Sequence, residues 1–195
     1  MPIYLIPEEK TVLFIDGTSI YNTSRNLGID IDYRLFLEYF HEATYIVRAY
    51  YYSTIIEGED YTPVKPLTDW LSYNGFCTVI KAAKEFTDNS GKRRVKGNID
   101  IEIAIDMMEL APKINHVVLF TGNADFRRAV EAVQRQGVRV TVVSSLKCNP
   151  PTIADELRRQ CDQFVELADI AEFFVRHPSE RADDRSGVDR IIRGN

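Results

Sequence analysis

Short runs of apolar residues alternate with longer segments of helical periodicity along this chain, and no other feature limits its fold as strongly. Strands are expected at 11–15, 45–52, 76–80, 117–120, 138–143 and 163–165. Helical patterns lie at about 33–42, 64–74, 98–111, 124–136, 152–161 and 169–176. Runs without polar alternation are typical of strands buried on both faces, and strands separated by helices pair in parallel. The pattern predicts an α/β fold with a mainly parallel central sheet.

The length and charge of the chain restrict its domain organisation and its partners. Its 195 residues fit one domain, predicted at 1–177, followed by a charged and mobile C-terminal tail at 178–195. The 24 Lys+Arg and 29 Asp+Glu residues give a net charge of −5. An acidic chain is not expected to coat nucleic acid through bulk positive charge. A nucleic-acid enzyme remains open, because carboxylates that hold a metal ion also make a protein acidic.

The cysteines and the hydropathy pattern exclude several classes of protein. Cys77, Cys148 and Cys161 are widely spaced and form no C-x-x-C pair, so neither a disulfide framework nor a zinc site is predicted. No apolar run approaches the ~20 residues that span a membrane, and the start of the chain lacks the pattern of a signal peptide. We therefore expect a cytoplasmic protein without a membrane partner.

Acidic and amide side chains follow two of the predicted strands. Asp16 ends the first strand, and Asn123 and Asp125 follow the fourth. Asp100 opens the helix predicted at 98–111. Each aspartate alone is typical of a turn or a helix cap. However, open parallel sheets bind ligands where their strands end. Carboxylates that converge there repel one another, and a bound cation offsets this repulsion. Oxygen ligands without histidines favour Mg²⁺ or Mn²⁺ over Zn²⁺.

Asp106 lies six positions after Asp100 on the same predicted helix. At 100° per residue the two side chains are about 240° apart, so they do not share a face. Asp100 is the better candidate, because it lies at the helix start beside a polar loop. Asp106 reaches the same site only if the helix runs along its mouth.

A basic segment precedes Asp100. Its charged residues are Lys84, Lys92, Arg93, Arg94 and Lys96 against Glu85 and Asp88, a local charge of +3. A basic loop beside carboxylates suits a metal nuclease, because cations hold the phosphodiester backbone while carboxylates hold the metal. A solvated hairpin or loop is the simpler interpretation. Arg127 and Arg128, which follow Asp125, are further candidates for the backbone.

Three consecutive tyrosines, Tyr50, Tyr51 and Tyr52, close the second predicted strand. Aromatic rings can stack on RNA bases. Because side chains alternate between the two faces of a strand, at least one of these rings is expected to be buried. Stacking and burial therefore both remain open for this segment.

Other phosphate chemistries are excluded by missing residues. The Asp16-Gly17-Thr18 ending superficially resembles that of haloacid dehalogenase-like phosphatases, whose first strand ends in D-x-D-G-T. The nucleophilic position is Phe14 here, so the covalent route has no nucleophile. The chain also lacks the G-x-x-x-x-G-K-[ST], G-x-G-x-x-G and G-x-S-x-G motifs, which disfavours a nucleotide-binding regulator.

Four stretches carry a resemblance to a known family. Residues 14–21, FIDGTSIY, resemble F-I-D-G-x-N-[LI]-Y, and residues 96–107, KGNIDIEIAIDM, resemble K-G-x-D-[VI]-x-[LI]-A-x-D-[MA]. Residues 119–126, LFTGNADF, resemble [LV]-x-[ST]-G-D-[SG]-D-F, and 154–167 resemble the closing segment. The chain thus resembles the NYN domain proteins, in the LabA-like (DUF88) branch of the PIN-like nuclease superfamily.

The resemblance implies a three-layer α/β/α sandwich and a PIN-like endoribonuclease site that uses Mg²⁺ or Mn²⁺. The carboxylates that match the family's metal site are Asp16, Asp100, Asp106 and Asp125. Two positions depart from the motifs: Ser19 stands where the family usually has Asn, and Asn123 where it usually has Asp. Asn123 keeps an oxygen ligand but removes a negative charge, which weakens cation binding.

The resulting hypothesis is a metal-dependent ribonuclease that cuts single-stranded RNA. Catalysis is assigned to Asp16, Asp100, Asp125 and Asn123, and the metal to these residues together with Asp106. Residues assigned to RNA binding are Ser19, Lys92, Arg93, Arg94, Lys96, Arg127 and Arg128. The alternative is a weakened or inactive module of the same fold that binds RNA or protein. A homodimer is left open.

Overall fold

The computed structural model describes residues 2–56, 64–87, 93–96 and 98–176. The strands are β1 (Lys10–Asp16), β2 (Tyr45–Ile56), β3 (Cys77–Thr87), β4 (Arg93–Lys96), β5 (His116–Phe120), β6 (Arg139–Ser144) and β7 (Gln163–Glu166). The helices are α1 (Gly17–Leu27), α2 (Tyr33–Ala43), α3 (Val64–Tyr73), α4 (Asp100–Leu110), α5 (Arg127–Gln134), α6 (Asp155–Gln160) and α7 (Leu167–Ile170). Short 3₁₀ turns follow α4, precede α5 and follow α7.

The strands form one sheet in the order β4-β3-β2-β1-β5-β6-β7. All neighbours pair in parallel except β4, which is antiparallel to β3 at the edge. The chain moves outward from β1 to β2 and β3, and then crosses to β5 on the other side of β1. The crevice between the ends of β1 and β5 is therefore the topological switch point, where open α/β sheets bind ligands.

Helices cover both faces of the sheet. On one face Leu13 and Ile15 of β1 pack in a core with residues of α1, α2, α3 and α7. On the other face Val12 and Phe14 pack with residues of α4, α5 and α6. The alternating side chains of β1 are buried on both sides, which confirms the predicted α/β/α sandwich. No helix in the described part of the chain is long and apolar enough to cross a membrane.

The structure adds two elements that the apolar pattern does not predict. The first is α1, whose sequence GTSIYNTSRNL buries one large apolar side chain, Ile20. It forms because Asp16 caps its first turn and because its other buried residues are small. The second is β4, which pairs antiparallel with an extended β3, so residues 84–87 and 93–96 of the basic segment lie on adjacent strands. Lys92 and the tail at 178–195 lie outside the described residues.

Candidate functional site

Asp16 ends β1 at the switch point, and its carboxylate accepts three hydrogen bonds. Its Oδ1 accepts from the backbone N–H groups of Thr18 and Ser19, both at 3.1 Å, which caps α1. Its Oδ2 accepts from the Thr121 hydroxyl at 3.1 Å. The side chain is buried, and this burial, together with the nearby charge of Asp100, raises the pKa of Asp16 above its ordinary value. The site therefore holds a carboxylate whose charged form is unfavourable without a counter-ion.

The turn after β5 brings Asp100 to Asp16. Ser19 Oγ accepts from the backbone N–H of Gly122 at 3.2 Å, which joins the start of α1 to this turn. Asn123 Oδ1 accepts from the backbone N–H of Asp125 at 3.1 Å. Because this bond fixes the orientation of the amide, Asn123 Nδ2 points the other way and donates to Asp100 Oδ2 at 2.8 Å. Asp16, Ser19, Asn123 and Asp100 thus form one cluster.

The entrance to α4 is held by groups that the motifs do not reveal. The backbone N–H of Asp100 donates to Asn98 Oδ1 at 2.7 Å, as a side-chain cap of the turn. Lys81 of β3 donates from Nζ to the Asn98 carbonyl at 2.8 Å and pairs with Glu102 at 2.7 Å. Lys81 is therefore a positioning residue for Asp100. Its place in the sequence, one residue beyond the predicted third strand, gives no hint of this role.

Asp106 is held by a different partner from Asp100. Its Oδ2 accepts from the Tyr52 hydroxyl at 2.7 Å, on the β2 side of β1, whereas Asp100 accepts from Asn123 after β5. The separation agrees with the predicted 240° between them. Burial and the bond to Asp106 raise the pKa of Tyr52, so the phenol keeps its proton and remains a donor. Tyr51 and Tyr52 are both buried, which excludes them from stacking on bases.

The remaining predicted residues lie around the cluster. Asp125 is exposed at the start of the 3₁₀ turn before α5, and its contact with Asn123 is made through its backbone. Arg127 is exposed, while Arg128 pairs with Glu131 on the same helix. The backbone of β4 contains Arg93, Arg94 and Lys96. The strand ends two residues before Asn98, and the assignment of its basic residues to RNA binding stays a prediction.

The donor set fits a weakly held divalent cation. In the described ranges, no three Asp, Glu, His or Cys side chains form a group that could hold a metal ion. Asp16 and Asp100 lie close enough to repel, and neither forms an ion pair with a Lys or Arg whose side chain the structure describes. Mg²⁺ is commonly bound through one or two carboxylates, with water and substrate phosphate completing its shell. Asp16 and Asp100 match that arrangement.

Replacing Asp16 with Asn is expected to raise the melting temperature in EDTA at pH 7 by a few degrees. A group whose folded pKa is raised stabilises the fold below its unfolded pKa, near 3.8, and this contribution is lost as pH rises through the folded value. The gain from Asn should therefore vanish on acidification. The control is Asp32→Asn, the same change at the cap of α2. A lower melting temperature for Asp16→Asn at pH 7 would contradict the assigned burial cost.

Gly122 lets the turn after β5 approach the segment before α6. A Cβ at this position would lie 1.8 Å from the Thr152 carbonyl oxygen and 2.9 Å from Ser144 Oγ. The Gly122 carbonyl also accepts from the backbone N–H of Ala154 at 2.9 Å. We expect Gly122→Ala to reduce the free energy of unfolding by about 1–3 kcal/mol, because the backbone must shift. Denaturant unfolding tests this, and an unchanged midpoint would show that the turn has room.

The fold and this crevice define an α/β protein with paired carboxylates at its switch point. A model of the NYN domain matches residues 10–168, and the chain belongs to the NYN domain family. It is 34% identical over 171 residues to the low amplitude and bright protein LabA of Synechococcus elongatus, covering 86% of this chain and 88% of that protein. These matches confirm the resemblance found in the motifs.

A solved structure supports the same fold. A protein of unknown function from Vibrio parahaemolyticus superposes with a TM-score of 0.68, at 24% sequence identity. The match covers 89% of this chain and 100% of that one. This likeness concerns the fold alone.

Proposed function

We propose that the chain is a metal-dependent ribonuclease that cuts single-stranded RNA. The observation that carries the proposal is the Asp16–Asp100 pair, a buried carboxylate beside a second one, with no cationic partner among the side chains that the structure describes. The NYN family includes PIN-like ribonucleases as well as LabA-like proteins. A cation at this pair would offset both the burial of Asp16 and the repulsion between the two carboxylates.

Asp16 and Asp100 are the proposed ligands of Mg²⁺ or Mn²⁺. Held by these two residues, the cation would supply activation of a water molecule and positive charge for the scissile phosphate. Thr121 and the α1 backbone hold Asp16 in place, and Asn98 and Lys81 hold the start of α4. Asn123 donates the hydrogen bond that holds Asp100 Oδ2. The paired strands β3 and β4, together with Arg127, are proposed to bind the RNA backbone.

The proposal is tested by incubating single-stranded RNA with the intact chain in Mn²⁺ and in EDTA. Cleavage in Mn²⁺ that EDTA abolishes is the expected result, and calorimetric titration with Mn²⁺ should show weak binding. Absence of both cleavage and binding at millimolar Mn²⁺ would overturn the proposal.

One observation favours a second candidate, a binding module without catalysis. Asn123 Nδ2 donates to Asp100 Oδ2, so the amide partly satisfies this carboxylate where a cation otherwise would. RNA binding that is equal in EDTA and Mn²⁺, without cleavage, is the expected behaviour of such a module. The cytoplasmic setting, the homodimer and the mobility of the tail remain predictions.

A further inference from the structure

A cleft of about 940 Å³ opens beside the candidate site, on the face of the sheet covered by α1, α2 and α3. Its walls include Tyr21, Arg25, Arg34, Tyr51 and Trp70, and we call it the α1–α3 cleft. The volume lies in the range of sites that bind small organic ligands. The sequence assigns no function to these residues, apart from the stacking role considered for Tyr51.

Tyr51 connects the cleft to the candidate site. Its ring borders the cleft and lies so close to Gly17 that a Cβ there would be 2.8 Å from the ring. Gly17 directly follows Asp16, and α1 then runs from the Asp16 cap along the cleft. Tyr21 and Arg25, four residues apart on α1, share the face that borders the cleft. One wall of the cleft therefore contacts the chain directly next to Asp16.

The cleft combines exposed aromatic rings with positive charge. Tyr21 is 56% exposed and Trp70 is 41% exposed, so both rings offer a face to a ligand. Among the described residues, the charged members of the lining are Arg25, Arg34, Arg176, Asp30 and Asp32, a net charge of +1 in a chain of −5. Asp32 is already engaged: it caps α2 and lies 3.9 Å from Arg176. Arg25 is fixed over Tyr21 by a 2.9 Å bond to its hydroxyl.

We propose that the α1–α3 cleft binds a nucleotide of single-stranded RNA, with the base against Tyr21 and Trp70 and the phosphate at Arg25 and Arg34. Aromatic faces beside cations are a common means of binding single-stranded nucleic acid, because every base has a face that can stack and every phosphodiester linkage carries a negative charge. The proposal rests on the proposed function, since it takes RNA as the ligand of the neighbouring carboxylates. It extends that function to a base-binding subsite on the opposite face of the sheet from α4.

Trp70 provides a direct readout, because it is the single tryptophan of the chain. The intact chain in EDTA is titrated with a short oligouridylate and, separately, with uridine monophosphate, while tryptophan emission is recorded. Saturable quenching by the oligouridylate is expected. Tyr21→Ala and Arg34→Ala, both at exposed positions, should each weaken its binding by about tenfold. The control is Arg159→Ala. Arg159 is an exposed arginine of α6, the helix that packs on the other face of the sheet.

The outcomes separate this inference from the proposed activity. Quenching without Mn²⁺-dependent cleavage would support the cleft and overturn the ribonuclease. Cleavage with no quenching, or with equal affinities in Tyr21→Ala, Arg34→Ala and the unaltered chain, would overturn the cleft alone. Uridine monophosphate binding as tightly as the oligouridylate would support nucleotide recognition but assign the cleft to free nucleotides. Equally tight binding of polyglutamate would identify an acidic protein partner and overturn the proposal.

Discussion

Asp16→Asn is expected to slow Mn²⁺-dependent cleavage of single-stranded RNA by more than about 100-fold. Changes to groups that only support a metal ligand already cost about 10–100-fold, and Asp16 is a proposed ligand. The substitution keeps the cap of α1, because an Asn oxygen accepts from the Thr18 and Ser19 backbone as Asp does. Only the negative charge and one acceptor are removed. The loss should therefore appear in the rate and not in the fold.

Asp69→Asn is the matched control for this experiment. Asp69 is an exposed aspartate of α3 that pairs with Lys65, so its replacement removes the same charge at a side chain outside the cluster. Initial rates in Mn²⁺ are compared for the three proteins, with melting temperatures recorded in parallel. Because Asp16→Asn is expected to melt at a higher temperature in EDTA and its melting temperature in Mn²⁺ is recorded directly, slower cleavage can be distinguished from unfolding. Equal rates for Asp16→Asn and the unaltered chain would remove Asp16 from the assigned site.

Asn123→Asp is expected to raise the affinity for Mn²⁺ by about tenfold or more and to speed cleavage. A third carboxylate replaces the Asn123 amide that now donates to Asp100. Its charge attracts the cation, and a gain of 1.4 kcal/mol is tenfold in affinity. Without metal the same carboxylate repels Asp100 and Asp16, so the variant should be less stable than the unaltered chain in EDTA by about 1–3 kcal/mol. Added Mn²⁺ should then raise the melting temperature of Asn123→Asp by more than it raises that of the unaltered chain.

Asn115→Asp provides the matched control, because Asn115 lies at the opposite end of β5, where its side chain accepts from the Lys10 backbone. Calorimetry and melting curves with and without Mn²⁺ measure the effect independently of cleavage. No added response to Mn²⁺ in Asn123→Asp would show that the crevice does not hold a cation. If RNA binding then persisted without metal, the binding module would replace the ribonuclease.

The strands and most helices follow from the sequence because burial on both faces leaves a direct pattern. Val12, Leu13, Phe14 and Ile15 are all apolar and all buried, so β1 is evident without any structure. The helix α1 is not, since its burial depends on Thr23 and Ser24 as well as Ile20. Small polar residues contribute too little to a hydrophobic pattern to predict a helix.

The candidate site shows the same division. The aspartates could be found because they stand at strand ends and within motifs, and the 240° spacing of Asp100 and Asp106 predicted that they diverge. The partners of these residues could not be found in this way. Tyr52, which binds Asp106, lies on β2, and Lys81, which binds Asn98, lies on β3, whereas Asp106 is on α4 and Asn98 precedes it. Contacts between residues distant in sequence depend on the register of the sheet, and no local pattern specifies it.

By itself the sequence determined the α/β class, the NYN family and the positions of the acidic residues, because all three depend on local runs of apolar residues and on the spacing of short motifs. Only the tertiary structure decided which acids meet. It joined Asp16 to Asp100 across the switch point and turned the Asn123 amide toward Asp100. It also opened the α1–α3 cleft beside them. These features arise from strand order and helix packing, which bring together side chains that lie far apart along the chain.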